Sequence, residues 1–112
     1  MTQMNMIMEY TAVQALSRKM TEAEIVTATV ERFLESPADI ILVCLVSIAC
    51  EFQEKFIGGN GENHRLGGEL YKHAALLACD IVAVRSLGIL SPRGIDIIHY
   101  WESSQGSGQT PE

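Results

Sequence analysis

The chain has 112 residues, is 47% apolar and 20% charged, and carries a formal net charge of −6. This length fits one domain, since domains typically run to about 100–200 residues, and it excludes a cofactor domain joined to a substrate domain. The composition is that of a globular chain and excludes disorder throughout. An acidic chain with dispersed basic residues lacks the attraction on which most nucleic-acid affinity depends, so we expect no direct nucleic-acid partner.

The cysteines and the N-terminus indicate the compartment. Cys44, Cys50 and Cys79 form an odd set without C-x-x-C spacing, which predicts neither a disulfide framework nor a zinc site. The N-terminus lacks the basic segment and the small-residue cleavage site of a secretory signal. The longest apolar run, residues 40–50, is about half of the roughly 20 residues that cross a membrane. We therefore expect a cytoplasmic protein in a reducing environment, without membrane association.

An apolar arm at residues 1–9 precedes a first predicted helix over residues 9–19, in which Val13 and Leu16 are the expected apolar contacts. Methionine is flexible and common on adaptable binding surfaces. The arm would pack on its own core, pack across a subunit interface, or fray at the start of the chain, and the sequence leaves these alternatives open. The large side chains of this region are Met4, Met6, Ile7, Met8 and Tyr10.

The middle of the chain contains the start signals of two helices. Thr21 and Glu24 form a capping-box pattern, and the helix that follows should end near Ser36, because Pro37 disfavours helical geometry in the residue before it. Ser36 then suits the N-cap and Pro37 the first position of the next helix, over residues 38–57. Its β-branched content also permits a buried strand, but no Gly or Pro interrupts it. Its first half is apolar all round and requires neighbours from the same chain or from a second subunit.

Glycine and proline divide the C-terminal half of the chain. The glycine-rich residues 58–68 predict a loop, and a helix over residues 69–87 should follow, ended by Gly88 as the residue beyond the C-cap. The Ser-Pro pair at residues 91–92 begins the last element, for which a helix is favoured over a short strand. Residues 103–112 hold no apolar anchor and are predicted to form a disordered tail.

Together these elements predict an all-α fold, a compact bundle of four to five helices in a single domain over residues 1–102. Because the chain holds more apolar helix than a core of this size needs, we expect a homodimer, the commonest symmetric assembly. Aromatic residues anchor interfaces but also close small cores, and Tyr100 and Trp101 fit either role. The candidates for a partner or dimer interface are Met4, Met6, Ile7, Met8, Tyr10, Val43, Leu45, Tyr100 and Trp101.

A polar stripe on the 69–87 helix is the strongest candidate for chemistry. Glu69, His73 and Asp80 share one face, and Glu51 and Glu54 lie on the preceding helix, so a two-helix metal or acid–base site is geometrically conceivable. Di-iron bundles, however, use Glu-x-x-His from two helices, whereas here the spacing is four and occurs once. A solvated helix face with an i,i+4 pair explains the stripe more simply. We therefore expect no metal site, no cofactor and no enzymatic activity.

The profile of the whole chain resembles the small helical antiactivators that inhibit LuxR-type quorum-sensing transcription regulators. The likeness depends on the apolar arm ending in Met8, the helix break at Ser36 and Pro37, and the apolar helix that follows. The resemblance implies a homodimer that binds the regulator's ligand-binding domain and blocks its dimerisation and DNA binding. It transfers no individual binding residues, because no motif is shared.

Other functions fit the same profile. A phage-type inhibitor, such as an anti-CRISPR, is also small, acidic and helical. A metal-dependent helical enzyme would use the polar stripe, and a small-ligand sensor would hold a pocket between helices without leaving a trace in the sequence. The leading hypothesis is a regulatory protein that inhibits a partner protein by occupying its interface.

Overall fold

The computed structural model describes residues 2–55 and 61–109. Apart from turns and one isolated bridge between Pro37 and Arg93, these residues form helices, so the predicted all-α architecture is confirmed. The helices within the described residues are α1 (Gln3–Ser17), α2 (Glu22–Arg32), α3 (Ala38–Lys55), α4 (Gly61–Ser86) and α5 (Gly94–Gln109).

Helix α1 begins much earlier than predicted, because Thr2 accepts a hydrogen bond from the backbone N–H of Asn5 and caps it. The apolar arm is therefore the first half of this helix. Its buried side follows an i, i+4 spacing through Ile7, Thr11 and Ala15. Val13 and Leu16, the expected core contacts, face outward instead, so that prediction was wrong.

A pair of buried threonines joins α1 to α2. The hydroxyl of Thr11 donates to the carbonyl of Ile7, and that of Thr29 donates to the carbonyl of Ile25, both at 2.8 Å. The two hydroxyl oxygens lie 3.4 Å apart. Because each hydroxyl is hydrogen-bonded within its own helix, the two polar side chains can be buried at the helix contact without a large desolvation cost.

The capping box at the start of α2 is confirmed, with both Thr21 and Glu24 making their reciprocal hydrogen bonds. The helix ends at Arg32 rather than near Ser36. The backbone N–H of Ile95 donates a hydrogen bond to the carbonyl of Leu34, and that of Gly94 donates to the carbonyl of Ser36. Residues 33–36 thus form a turn in which the carbonyls of Leu34 and Ser36 are satisfied by the start of α5, an interaction that local sequence signals do not contain.

The two Ser-Pro segments lie side by side and set the starts of α3 and α5. The carbonyl of Pro92 accepts a 2.8 Å hydrogen bond from the backbone N–H of Ala38. Pro37 therefore lies just before α3, which begins at Ala38, and is not the first helical residue that we predicted. The Ser36 hydroxyl accepts from the Gln3 amide at 2.8 Å and so ties down α1. Gly94 is required at the contact, because a Cβ there would lie 2.6 Å from the carbonyl oxygen of Phe33.

Helix α4 starts at Gly61, so the predicted loop is wrong over residues 61–68, while residues 58–60 lie outside the described part of the chain. Gly67 is used for packing there, because a Cβ on it would lie 2.8 Å from the carbonyl oxygen of Ala49 on α3. The end of α4 is as predicted. Gly88 has φ of +107°, and its N–H and that of Ile89 bond back into the last turn.

Helix α5 continues to Gln109, so residues 103–109 are helical where we predicted a disordered tail. Residues 110–112 lie outside the described part. The start of α5 is held by its contacts with the 33–36 turn, and each further helical residue adds a backbone hydrogen bond once a helix exists.

The core lies between an antiparallel α3–α4 pair and the three other helices. Because α1 packs on α3, α2 packs mainly on α4, and α5 packs on both α2 and α4, one side of the α3–α4 pair is covered and the opposite side is left exposed. The largest fully buried side chains are aliphatic: Ile7, Ile25, Ile41, Leu45, Leu70, Leu77 and Ile97. This arrangement determines which apolar residues remain available for a partner.

Candidate interaction surfaces

The predicted interface residues separate into core and surface positions. Ile7 and Leu45 are completely buried within the chain, so assigning these two to an interface was wrong. They face the core because each lies on the inward stripe of its helix. Three others pack partly buried against the core: Met8, Tyr100 and Trp101. Tyr10 is half-buried, and Met4, Met6 and Val43 remain exposed.

A groove lies between the outer side of α1 and the end of α2, and we name it the α1 groove. It encloses about 540 Å³ and is lined by Met6, Glu9, Tyr10, Val13, Arg32 and Phe33. The Tyr10 and Phe33 rings meet edge to face with centroids 5.8 Å apart. The Arg32 guanidinium carbon lies 5.8 Å from the centre of the Phe33 ring. These ring contacts hold the aromatic floor in place.

The exposed residues of α1 follow the spacing of a coiled-coil seam. Positions 6, 9, 13 and 16 alternate steps of three and four, the spacing that faces a partner helix in a coiled coil, and Met6, Val13 and Leu16 are apolar whereas Glu9 is charged. Met6 is 48% exposed, Val13 54% and Leu16 53%. Met6 was expected at an interface, whereas Val13 and Leu16 were expected to contact the core. The spacing of these residues could be read from the sequence, but spacing alone does not show which side of a helix is buried.

A second apolar surface covers the exposed side of the α3–α4 pair, and we name it the outer α3–α4 face. Between Asp39 and Glu51, α3 carries no charged residue. The Cys50 thiol on α3, followed by desolvation, raises the pKa of the Tyr71 hydroxyl on α4. The face consists of Val43, Val46 and Cys50 from α3 and of Tyr71, Ala75, Cys79 and Val82 from α4.

A third exposed apolar group lies in the turn after α4. Leu87, Ile89 and Leu90 are all exposed there. The carbonyl of Leu90 accepts a hydrogen bond from Arg85, whose guanidinium also contacts Asp39 at 2.6 Å. The turn is therefore held against the start of α3. This apolar group was not among the predicted interface residues, because the segment was predicted only as the end of a helix.

The polar stripe considered for metal binding is engaged in ordinary side-chain contacts. Asp80 accepts a 2.8 Å hydrogen bond from the indole N–H of Trp101, and Glu69 pairs with Lys72 at 3.6 Å. Glu54 accepts from the Cys50 thiol at 3.3 Å. Across residues 2–55 and 61–109, no three His, Cys, Asp or Glu side chains are grouped to hold a metal ion. The structure thus does not bring the candidate ligands together.

The cysteines are free thiols in different environments. Cys44 is buried, its thiol donates to the carbonyl of Met4 at 3.6 Å, and burial raises the pKa of that thiol. A raised pKa keeps the thiol protonated and poorly nucleophilic. Cys79 is exposed on the outer α3–α4 face. This difference in exposure makes Cys79 a useful reporter for that surface.

Comparison with known proteins gives no relative from which a role could be transferred. No protein-family model, no curated protein and no solved structure matches the chain. Among the described helices, none combines the length and apolar character needed to cross a membrane. The exposed apolar surfaces of the chain are therefore the basis for proposing a function.

Proposed function

We propose that this protein is a regulatory interaction protein without enzymatic activity, which binds a partner protein through the α1 groove and inhibits it by occupying the partner's own interface. The observation that carries the proposal is the exposed seam of α1. Large apolar side chains are costly to leave in water, and Met6, Val13 and Leu16 lie at coiled-coil spacing, with Glu9 as the charged position among them, beside an aromatic floor that suits an incoming helix.

The groove combines features suited to binding a helix. Met6 can adjust its shape to a partner, because methionine is unbranched and polarizable. Tyr10 and Phe33 supply rigid apolar area of the kind that dominates binding energy. Glu9 and Arg32 place one charge of each sign in the groove lining. Opposite charges at separate points restrict the register in which a helix can bind.

The partner that the profile of the chain favours is a LuxR-type quorum-sensing transcription regulator. In this form of the proposal the protein is a cytoplasmic homodimer that binds the regulator's ligand-binding domain and prevents its dimerisation and DNA binding. The acidic residues of α2 support the approach to a basic patch: Glu22, Glu24 and Glu31 lie on that helix, against Arg32. The mechanism needs no cofactor and no metal.

The experiment is a binding titration between the purified protein and the ligand-binding domain of a LuxR-type regulator, followed by an operator-binding assay. Val13→Glu places a charge in the seam without touching the core, because Val13 is more than half exposed. We expect it to raise the Kd at least about tenfold. Leu90→Glu, an equally drastic change at an exposed position outside the groove, is the matched control and should leave the Kd unchanged.

The two readouts test different parts of the proposal. An unchanged Kd for Val13→Glu would show that the groove is not the binding surface. If the wild-type protein left operator binding by the regulator unaffected, the assignment of this partner would be wrong. Deleting residues 1–9 is a poor test, because it removes Ile7 from the core and would lower stability as well as binding.

A further inference from the structure

We propose that a hollow at the junction of α2, α4 and α5 binds one organic cation, an ammonium or guanidinium group carried on a short alkyl stem. The hollow encloses about 170 Å³, and we name it the Trp101 hollow after the aromatic residue that lines it. Among the described residues, the linings of this hollow and of the α1 groove have no member in common. The proposal therefore goes beyond the proposed function and does not rest on it.

The Trp101 hollow has an apolar floor and polar walls. Val26 of α2 and Leu77 of α4 line it and are buried, so they form the floor. His73 and Asp80 of α4 and Trp101 of α5 are half-buried and form the walls. His73 and Asp80 lie seven residues apart, which places both on the same side of α4. These two residues, considered above as metal ligands, thus line a common hollow beside the indole.

Asp80 determines the charge of the ligand. The indole N–H of Trp101 donates to its Oδ2 at 2.8 Å, and this donor is neutral. Among the side chains that the structure describes, neither Lys nor Arg forms an ion pair with Asp80 or lines the hollow. A half-buried carboxylate whose charge the protein does not balance favours a cation, because a charge-assisted hydrogen bond is roughly twice as strong as a neutral one.

Trp101 adds a second attraction for a cation. Tryptophan is the aromatic side chain that attracts an ammonium or guanidinium group most strongly. The hydrogen bond from its indole N–H holds the ring beside the Asp80 carboxylate, so both groups act within one small hollow. A neutral ligand gains little from either group, and an anion is repelled by the carboxylate. The pair therefore selects a positive charge.

The surroundings of the hollow also favour a positive charge. A second hollow of about 480 Å³ adjoins the first, since Ala23 and Thr27 line both. Its described lining contains two carboxylates, Glu24 and Glu31, and one ammonium group, Lys19. Together with Asp80, negative charges outnumber positive ones along this part of α2. Such an excess raises the local concentration of cations.

The size of the hollow and its apolar parts restrict the ligand to a small organic cation. A volume of about 170 Å³ is well below the roughly 300–1,000 Å³ of pockets for drug-sized ligands. Leu76 lines the hollow and is 55% exposed, so an alkyl stem can lie against it while the charged head reaches Asp80. Free amines and the Arg or Lys side chains of a second protein share this chemistry.

The first test uses the fluorescence of Trp101, which is the single tryptophan of the chain. Butylguanidinium and butylammonium, titrated into the full chain at constant ionic strength, should change its emission saturably with a Kd in the millimolar range. Butanol has the same stem without the charge. We expect butanol to bind at least about tenfold more weakly, because it gains neither the charge-assisted hydrogen bond nor the cation–π contact.

The second test removes the charge of Asp80. Asp80→Asn keeps an acceptor oxygen for the indole N–H, so the fold should be retained, which circular dichroism would verify. We expect it to raise the Kd for butylguanidinium at least about tenfold. Glu69→Gln is the matched control, because Glu69 lies on the same helix outside the described lining and its replacement changes the net charge equally. Its Kd should equal that of the wild type.

The third test removes the aromatic ring and keeps an apolar side chain. Trp101→Leu lacks the fluorophore, so binding is followed by ligand-observed NMR. We expect the Kd for butylguanidinium to rise about threefold to tenfold, since the cation–π contact is lost, and the Kd for butanol to change less. If Trp101→Leu does not fold, Asp80→Asn alone decides the proposal.

The outcomes separate the proposal from the proposed function. Butanol bound as tightly as butylguanidinium, or an Asp80→Asn variant with an unchanged Kd, would overturn the cation site. A capped Ala-Arg-Ala peptide that binds more tightly than butylguanidinium supports the site and identifies a protein side chain as its ligand. Weaker binding of that peptide supports a free amine or guanidine. Val13→Glu should leave butylguanidinium binding unchanged, whatever it does to the partner protein.

Discussion

The α1 groove and the outer α3–α4 face are both apolar and exposed, but they are built from different side chains. The groove uses long or aromatic residues such as Met6, Tyr10 and Phe33, with Glu9 and Arg32 in its lining. The face uses small residues such as Ala75 and Cys79, with its charges confined to the ends. Long side chains adapt to a partner of different shape, whereas small ones allow two helices to approach closely in one fixed register.

The difference extends to the way each surface is held. The close approach of Gly67 to Ala49 fixes the spacing of the two helices of the outer α3–α4 face. The groove is instead formed where the first turns of α1 meet the end of α2, through ring contacts and the buried threonine pair. A face of fixed helix spacing is rigid, whereas a groove between two helix ends favours an adjustable site.

The largest effect on the free energy of unfolding is expected within α1, where one side of the helix packs in the core and the other lines the groove. Ile7→Ala removes a fully buried side chain and should lower the free energy of unfolding by about 3 kcal/mol. The neighbouring Met6→Ala, on the exposed side, should change it by no more than about 0.5 kcal/mol while weakening partner binding. Urea denaturation at one fixed protein concentration measures both. Equal losses for the two variants would mean that the groove belongs to the core.

A substitution at the α3–α4 crossing tests whether close packing supports the outer face. Gly67→Ala should lower the free energy of unfolding by about 1–3 kcal/mol, because the new methyl group meets the Ala49 carbonyl oxygen. Gly61→Ala is the control, since nothing lies within 4 Å of its added Cβ and alanine favours a helix. Thermal unfolding compares them. A Gly67→Ala variant as stable as Gly61→Ala would contradict the close crossing.

A smaller effect on stability is expected at the start of α2, the helix whose other end forms one wall of the groove. Thr21→Ala removes the capping box and should cost about 1 kcal/mol of stability. Thr27→Ala, at an exposed position within the same helix, should be close to neutral. The helix end carries Arg32 and Phe33, so partner binding should weaken with Thr21→Ala while the thiol reactivity of Cys79, on the outer α3–α4 face, is unchanged. A change in that reactivity would argue against two independent surfaces.

Helix ends with local signals were predictable from the chain. The capping box at Thr21 and the glycine after α4 act through hydrogen bonds within a few residues, so their sequence pattern is enough. The candidate surfaces were predictable only in part. Met6, Tyr10 and Val43 could be found as apolar residues, but Ile7 and Leu45 could not be told apart from them, because all have similar hydrophobicity.

The order of the α-helices and the kind of fold thus follow from apolar periodicity and capping chemistry, which are local properties of the sequence. Tertiary contacts decided which side of α1 is buried, because the side that carries Thr11 packs against Thr29 of α2. They also decided that Gly67 and Gly94 allow close packing rather than mark loops, and that α2 ends at Arg32. Each of these depends on atoms more than ten positions away along the chain, and no pattern within a single helix contains that information.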